Sequence, residues 1–349
     1  MRIISIDSVQ PGMILAKPIY HYDDGKMLLR ENIVLKDAYI NRLKDLQYTH
    51  LYIREPNDTE DDLLILEPVR QETKVKASTI LKETFTAYNQ NRDIHVENLQ
   101  NVVSEMIEQI FGNRDVVYNM IDIRTHDNYT FSHSVNVCAL SLLVGTWMGL
   151  NRTDLEILGI GALLHDIGKI FISHDILNKP GILEPQEYEI IKTHTNKGYE
   201  LLKEKICISF ISAHIAYQHH ERVDGTGYPR GLIGSKIHRF AKIVAVADVY
   251  DAMTTQRVYR EAIPSHRVLT EIKMESEKKY DQSVVELFER VIAPYPVGSL
   301  LLLNNGETVI VLNVTRFECK VRVVSGEREG LQFNLYRCPE LRVDKVIIN

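Results

Sequence analysis

The run His219-His220-Glu221-Arg222-Val223-Asp224-Gly225-Thr226-Gly227-Tyr228-Pro229 constrains this chain more than any other stretch. A structural loop has use for the glycines and the proline, but not for two adjacent histidines. A metal site has use for all of it. Neutral imidazoles ligate transition metals. Glycines tolerate positive φ, so the backbone can fold closely over whatever the metals hold. Pro229 biases Tyr228 towards an extended conformation and aims its ring.

The other candidate ligands lie on both sides of this run. His165-Asp166 closes an apolar helix and is followed by Ile167-Gly168-Lys169. The pair offers one nitrogen and one carboxylate able to bridge two ions; Gly168 lets the helix stop. Lys169 places a cation beside the metals, where a bound phosphate would welcome it. His133 sits near the start of an apolar helix, and His194 lies on the helix around Glu187 to Leu201. Asp248 ends the apolar stretch Ile243 to Ala247, where a charge needs a partner. Any one of these is commonly structural. Together His133, His165, His194, His219, His220, Asp166 and Asp248 form a set spread mostly over separate helices, which is how helix bundles build metal centres.

Seven ligands exceed the needs of one ion and fit two if Asp166 bridges. Two ions roughly 3.5–4 Å apart can generate hydroxide at neutral pH and clamp the oxygens of a phosphoryl group. A nitrogen-rich, thiolate-free set suits iron, manganese or zinc and disfavours magnesium or calcium.

The helical patterning runs through residues 113–292, with helices expected over 116–125, 130–150, 153–166, 184–204, 208–221, 238–255, 265–278 and 282–292. The fold expected is therefore multidomain: a central all-α bundle over 113–292, a small α+β N-terminal domain over 1–68, a helical connector over 69–112 and a small all-β C-terminal module over 293–349, a barrel or sandwich. The connector reads as a lead-in packed on the bundle, with a signal relay or a homodimer contact as the other readings. Net charge is -6, so no global basic field recruits DNA or anionic lipid. The four cysteines lack metal-binding spacing and read as reduced thiols. The N-terminus lacks the pattern of a signal peptide, and the most apolar run, Val135 to Leu150, is short and polar for a membrane span. A cytoplasmic protein is expected.

The motifs resemble the HD-GYP family of bacterial phosphodiesterases, a branch of the HD metal-dependent phosphohydrolases, from about Asp127 to Leu287. That resemblance implies hydrolysis of cyclic di-GMP to pGpG or GMP by an enzyme holding two divalent transition metal ions, iron with manganese as the alternative. It implies one ion on His133, His165, Asp166 and Asp248, and a second on Asp166, His194, His219 and His220. Asp166 and Lys169 would be the catalytic pair. Lys169, Tyr228, Asp251, Arg257 and Arg260 would serve the substrate, the two arginines on phosphate and Asp251 in support of the site. Some family members carry a glutamate four residues before the first metal histidine and hold a third ion; Tyr129 stands there in this chain, which favours a dinuclear centre. Two other readings stand beside this one: another HD-type nucleotide phosphohydrolase, and a non-catalytic sensor or scaffold for a cyclic dinucleotide or a diguanylate cyclase partner.

Overall fold

In a computed structural model, the described residues are all of 1–349 except 22–25, 47, 56–57, 59–66, 91–94, 114–115, 120–128, 178, 180, 182, 256–262, 277 and 348–349, and the side chains of 89, 129 and 130. The N-terminal strands are β1 (Arg2–Ser5), β2 (Ile14–Leu15), β3 (Ile19–Tyr20) and β4 (Met27–Leu29). Helix α1 (Asp37–Asp45) and β5 (His50–Arg54) follow. A three-stranded sheet of order β1-β5-β2 closes over α1, burying Ile4, Leu15, Ile40, Leu43 and Leu51. Strand β1 was not expected from the sequence; it exists through antiparallel pairing with β5.

Helices α2 (Gln71–Asn89) and α3 (Val96–Gly112) lead into the bundle. Val96, Leu99, Val103, Met106 and Ile110 recur at helical spacing on α3 and are all buried. They join one core with α4 (Tyr129–Trp147) and α5 (Arg152–Leu163), as the lead-in reading expects. The stripe is thus used within the chain and offers no face to a second copy. Each such side chain, fully buried, contributes about 1.5–3 kcal/mol.

The bundle continues through α6 (His174–Leu177), α7 (Pro185–Lys203), α8 (Phe210–Gln218), α9 (Arg239–Thr254), α10 (Ser265–Met274) and α11 (Gln282–Val291). Helix α4 is apolar on all sides, so it must lie centrally: residues Val135 to Val144 are buried throughout. Caps fix where the helices start. The Asn151 side chain accepts from Asp154 N, Ser209 from Ile211 N and Asp281 from Ser283 N. Helix α7 opens with Pro185 at its first turn, while the Glu187 carboxylate accepts from Glu184 N.

Residues 116–118 are not helical. Val116 bridges Thr315 antiparallel, and Tyr118 bridges Ile292 in parallel. These extended residues seat the C-terminal module against the bundle, and such long-range pairing has no local signature; most of the remainder of the expected 116–125 helix lies outside the described residues. The C-terminal strands are β6 (Leu300–Leu303), β7 (Thr308–Val314), β8 (Cys319–Ser325), β9 (Gln332–Asn334) and β10 (Val343–Ile347). They form one antiparallel sheet of order β10-β6-β7-β8-β9, not the expected barrel or sandwich. A second sheet is unnecessary because Met1, Tyr52 and Val117 help cover the face bearing Leu301, Leu303, Val309, Val321 and Val323. Among the described residues no helix is long and apolar enough to cross a membrane. All four cysteines are free.

Candidate metal centre

The ends and inner faces of five helices converge at one place. His133 lies in the second turn of α4. His165 and Asp166 follow the last turn of α5 and enter a 3-10 turn, Ile167–Phe171. His194 faces inward from α7, His219 caps the C-terminus of α8 with His220 next to it, and Asp248 comes from α9. All except His220 are at least nine-tenths buried.

Hydrogen bonds orient the imidazoles. Nδ1 of His165 donates to Ala162 O at 2.8 Å, that of His194 to Ile191 O at 2.6 Å and that of His219 to Ala216 O at 2.9 Å. A carbonyl only accepts, so each Nδ1 carries the hydrogen, and in a neutral ring that leaves the lone pair on Nε2. The same step, to the carbonyl three residues earlier, aims all three rings alike. Burial first, with crowding by neighbouring imidazoles, holds His219 well below the ordinary histidine range; burial, with His194 and Arg222 adding to it, does the same for His220. Burial lowers His194 to about 4. These rings are neutral, as ligation requires.

Two groups of ligand atoms result, each lying within 4.8 Å of one another: His133, His165 and Asp248; and Asp166, His194, His219 and His220. Asp166 faces both. Its Oδ2 stands 3.3 Å from His165 Nε2 and 4.0 Å from His133 Nε2. Its Oδ1 stands 3.4 Å from His194 Nε2 and 3.9 Å from His219 Nε2. Burial alone would raise the Asp166 carboxyl, but Lys169 and His165 outweigh it and hold it well below the usual range. Asp248 is likewise depressed against the effect of burial, by its hydrogen bond to His133 and by His220. His165 Nε2 and Asp166 Oδ1 are buried without a hydrogen-bond partner. Unsatisfied buried polar atoms are costly, and a cation between them satisfies both. The residues present therefore fit divalent metal binding.

His133 is the exception in charge state. Burial lowers its pKa, yet hydrogen bonds to Asp248 and Asp251 outweigh this and raise it to about 9. Its Nε2 lies 3.1 Å from Asp248 Oδ1, so a proton there occupies the place a cation would take. Asp251 was expected among the substrate contacts. It is fully buried, with Oδ2 accepting from His133 Nδ1 at 2.6 Å and Oδ1 accepting from Asn136 Nδ2 at 2.6 Å, so no substrate reaches it. It lies on the Nδ1 side of His133, away from the Nε2 that faces Asp248. Tyr118 donates to Asn136 Oδ1 at 3.1 Å and extends this hydrogen-bond chain. Asn136 and Tyr118 were not singled out from the sequence; a polar residue three positions after His133 on an apolar helix was the available signal. Asp251→Asn, which removes the charge but keeps the shape, is expected to weaken metal binding at the His133 group about 10–100-fold. Metal titration should show the second group unaltered; equal weakening of both would refute the assignment.

The Gly225–Pro229 loop is held by Glu221, whose buried carboxylate accepts from Arg230 N at 2.9 Å and Leu232 N at 2.8 Å. This explains an acidic residue beside two histidines that is not itself within either ligand group. Gly225 has φ +83°, whereas a Cβ on Gly227 would meet Arg222 N at 2.3 Å. Tyr228 lies over His220 with ring centroids 4.6 Å apart, and Tyr188 meets it edge-on at 6.4 Å. Lys192 Nζ sits 4.8 Å from the Tyr188 ring and 5.7 Å from that of Tyr228. Tyr188 and Lys192 are one helical turn apart on α7 and were missed because α7 reads as a solvated helix apart from His194. Lys169 Nζ rests on Asp166 Oδ2 at 2.5 Å, with its side chain 28% exposed. Arg257, Arg260, and the side chain of Tyr129 lie outside the described residues.

Residues 115–284 match the HD domain family. Over 237 residues the chain is 31% identical to a cyclic di-GMP phosphodiesterase of Pseudomonas aeruginosa, covering 68% of this chain and 57% of that protein. Over 238 residues it is 35% identical to a cyclic di-GMP phosphodiesterase of Thermotoga maritima, covering 65% of this chain and 64% of that protein. The chain belongs to the HD-GYP family. This HD-GYP chain is also 38% identical over 141 residues to 3'3'-cGAMP-specific phosphodiesterase 3 of Vibrio cholerae, covering 40% of this chain and 30% of that protein. It thus spans less than two thirds of each of these relatives.

Proposed function

We propose that this HD-GYP protein is a metal-dependent phosphodiesterase that hydrolyses cyclic di-GMP to pGpG or GMP at a dinuclear centre. The observation that carries the reading is Asp166, whose two oxygens face separate groups of nitrogen ligands. His133, His165 and Asp248 would hold one ion and His194, His219 and His220 the other, with Asp166 shared. The donor set suits iron, manganese or zinc, and the resemblance to the family favours iron with manganese as the alternative. When bound, the two ions would supply an activated water and a Lewis-acid clamp on the phosphodiester.

The chain's own residues do the rest. The ionised Asp166 holds the two ligand groups in register, and the i–3 hydrogen bonds keep three rings aimed. Lys169 would release Asp166 when the ligand groups are filled and turn to a phosphate oxygen, with Arg257 and Arg260 as further phosphate cations. Tyr228, packed over His220, and Tyr188, edge-on to it, would form an aromatic rim beside the centre. The relatives named for cyclic di-GMP support that substrate; the 3'3'-cGAMP-specific relative supports the hybrid dinucleotide as the second reading.

The test is turnover by protein reconstituted anaerobically with iron or manganese, offered cyclic di-GMP and 3'3'-cGAMP separately. Hydrolysis of cyclic di-GMP with the higher kcat/KM is expected. Binding without turnover in either metal would instead support a sensor. Metal loading should also raise the melting temperature: free metal at 100 Kd stabilises by about 2.7 kcal/mol, and a chelator should reverse it. An unchanged melting temperature on loading would count against a structural fit of the ions.

A further inference from the structure

A cleft of about 400 Å³ lies where α11 ends and the C-terminal sheet begins. Val117, Ile292 and Val314 are among its apolar lining residues. Arg290, from the last turn of α11, Arg316, from the turn between β7 and β8, and Tyr336 complete the lining used here. Among the described residues neither arginine forms an ion pair, and Glu289, which also lines the cleft, is paired with Lys273 at 3.1 Å. Two guanidinium groups on one apolar cleft repel each other unless solvent or an anion sits between them. Arg316 is also held in place: its guanidinium lies 4.6 Å from the Trp147 ring centroid and 5.1 Å from that of Phe317. Stacking of this kind fixes the plane of the fork that binds phosphate bidentately. The Tyr336 ring, 44% exposed, adds an aromatic wall beside the apolar floor. The volume is within the range of small-molecule sites.

We propose that this cleft binds a ring-bearing phosphate of nucleoside monophosphate size, its phosphate on Arg290 and Arg316 and its base against Tyr336 and the apolar floor. The site is distinct from the metal centre. His133 and Trp147 stand near opposite ends of α4, about 21 Å apart at the helical rise. The inference does not depend on the hydrolytic activity.

Trp147, the sole tryptophan, makes the test direct through its contact with Arg316. Metal-loaded full-length protein is titrated with GMP and AMP, following Trp147 fluorescence, with calorimetry in parallel. A saturable change with either nucleotide is expected. Arg290→Ala should weaken binding about tenfold or more, as loss of a charged hydrogen-bonding partner does. Arg290 is exposed, so that variant should keep its melting temperature and metal content. Inorganic phosphate should bind about tenfold more weakly than GMP, for want of a base. No fluorescence change would overturn the proposal, as would a change undiminished in Arg290→Ala, which places the nucleotide elsewhere. Inorganic phosphate binding as tightly as GMP would overturn the nucleotide class.

Discussion

Asp166→Ala is expected to lower turnover of cyclic di-GMP by about 10³-fold or more, equivalent to about 4 kcal/mol of transition-state stabilisation. It should also drop metal content below two ions per chain. Both effects have one cause, because this carboxylate faces His165 Nε2 with one oxygen and His194 Nε2 with the other. Without it the His194 group loses its one carboxylate, and Asp248 alone is left to offset the positive charge of two ions in a buried site. The fold should survive. Lys169, the direct ion-pair partner, is 28% exposed and can turn to solvent, and the apolar core of α4, α5 and α9 does not include Asp166. Asp166→Asn keeps the volume and separates charge from shape: an equal loss of turnover assigns the effect to charge. Wild-type turnover in Asp166→Ala with metal still bound would refute the shared-carboxylate centre. Lost turnover with both ions retained would move Asp166 from holding metal to acting on substrate.

Legibility in the sequence followed the range of the interactions. Helices α5, α7, α9 and α11 lie within a few residues of their expected bounds because apolar spacing, Asn151, Pro185 and Asp281 act locally. The residues that converge at the candidate centre were legible for a related reason. A histidine or aspartate in an apolar helical stretch has no inexpensive structural explanation, and His165, Asp166 and Asp248 have that setting, whereas His194 lies on a largely polar helix and was picked out only in company with the others. Supports that cross between elements were not legible. The Tyr118–Asn136–Asp251 hydrogen-bond chain joins three separate segments, and no spacing announces it. Val116 and Tyr118 were expected in a helix because their extended conformation comes from partners at Thr315 and Ile292. The all-β character of residues 293–349 was legible, but the form of the sheet depends on the N-terminal residues that cover it.

Gly168 shows the same distinction at one residue and carries the second large effect. The sequence reading gave it the task of ending a helix. Its actual constraint is contact: a Cβ there would lie 1.9 Å from His194 O and 2.6 Å from Gly198 N. These are backbone atoms of α7, so no side-chain rotation relieves the overlap, and either the turn bearing Asp166 and Lys169 or the helix bearing His194 must move. Gly168→Ala is therefore expected to destabilise the protein by about 3 kcal/mol, at the upper end of overpacking effects. Turnover should fall about 10²-fold, the scale of an ångström-sized misplacement of reacting groups. Metal titration should find the His194, His219 and His220 group weakened more than the His133 group, because the displaced helix carries His194. Two further substitutions calibrate the size of the effect. A Cβ on Gly198 would approach Gly168 N only to 3.2 Å, so Gly198→Ala should cost much less. A Cβ on Gly112 meets nothing within 4 Å, so Gly112→Ala should be near neutral. Gly168→Ala with wild-type melting temperature and metal content would show that α7 and the Asp166 turn can separate without consequence, and the close seating of these two elements would then have no part in building the centre.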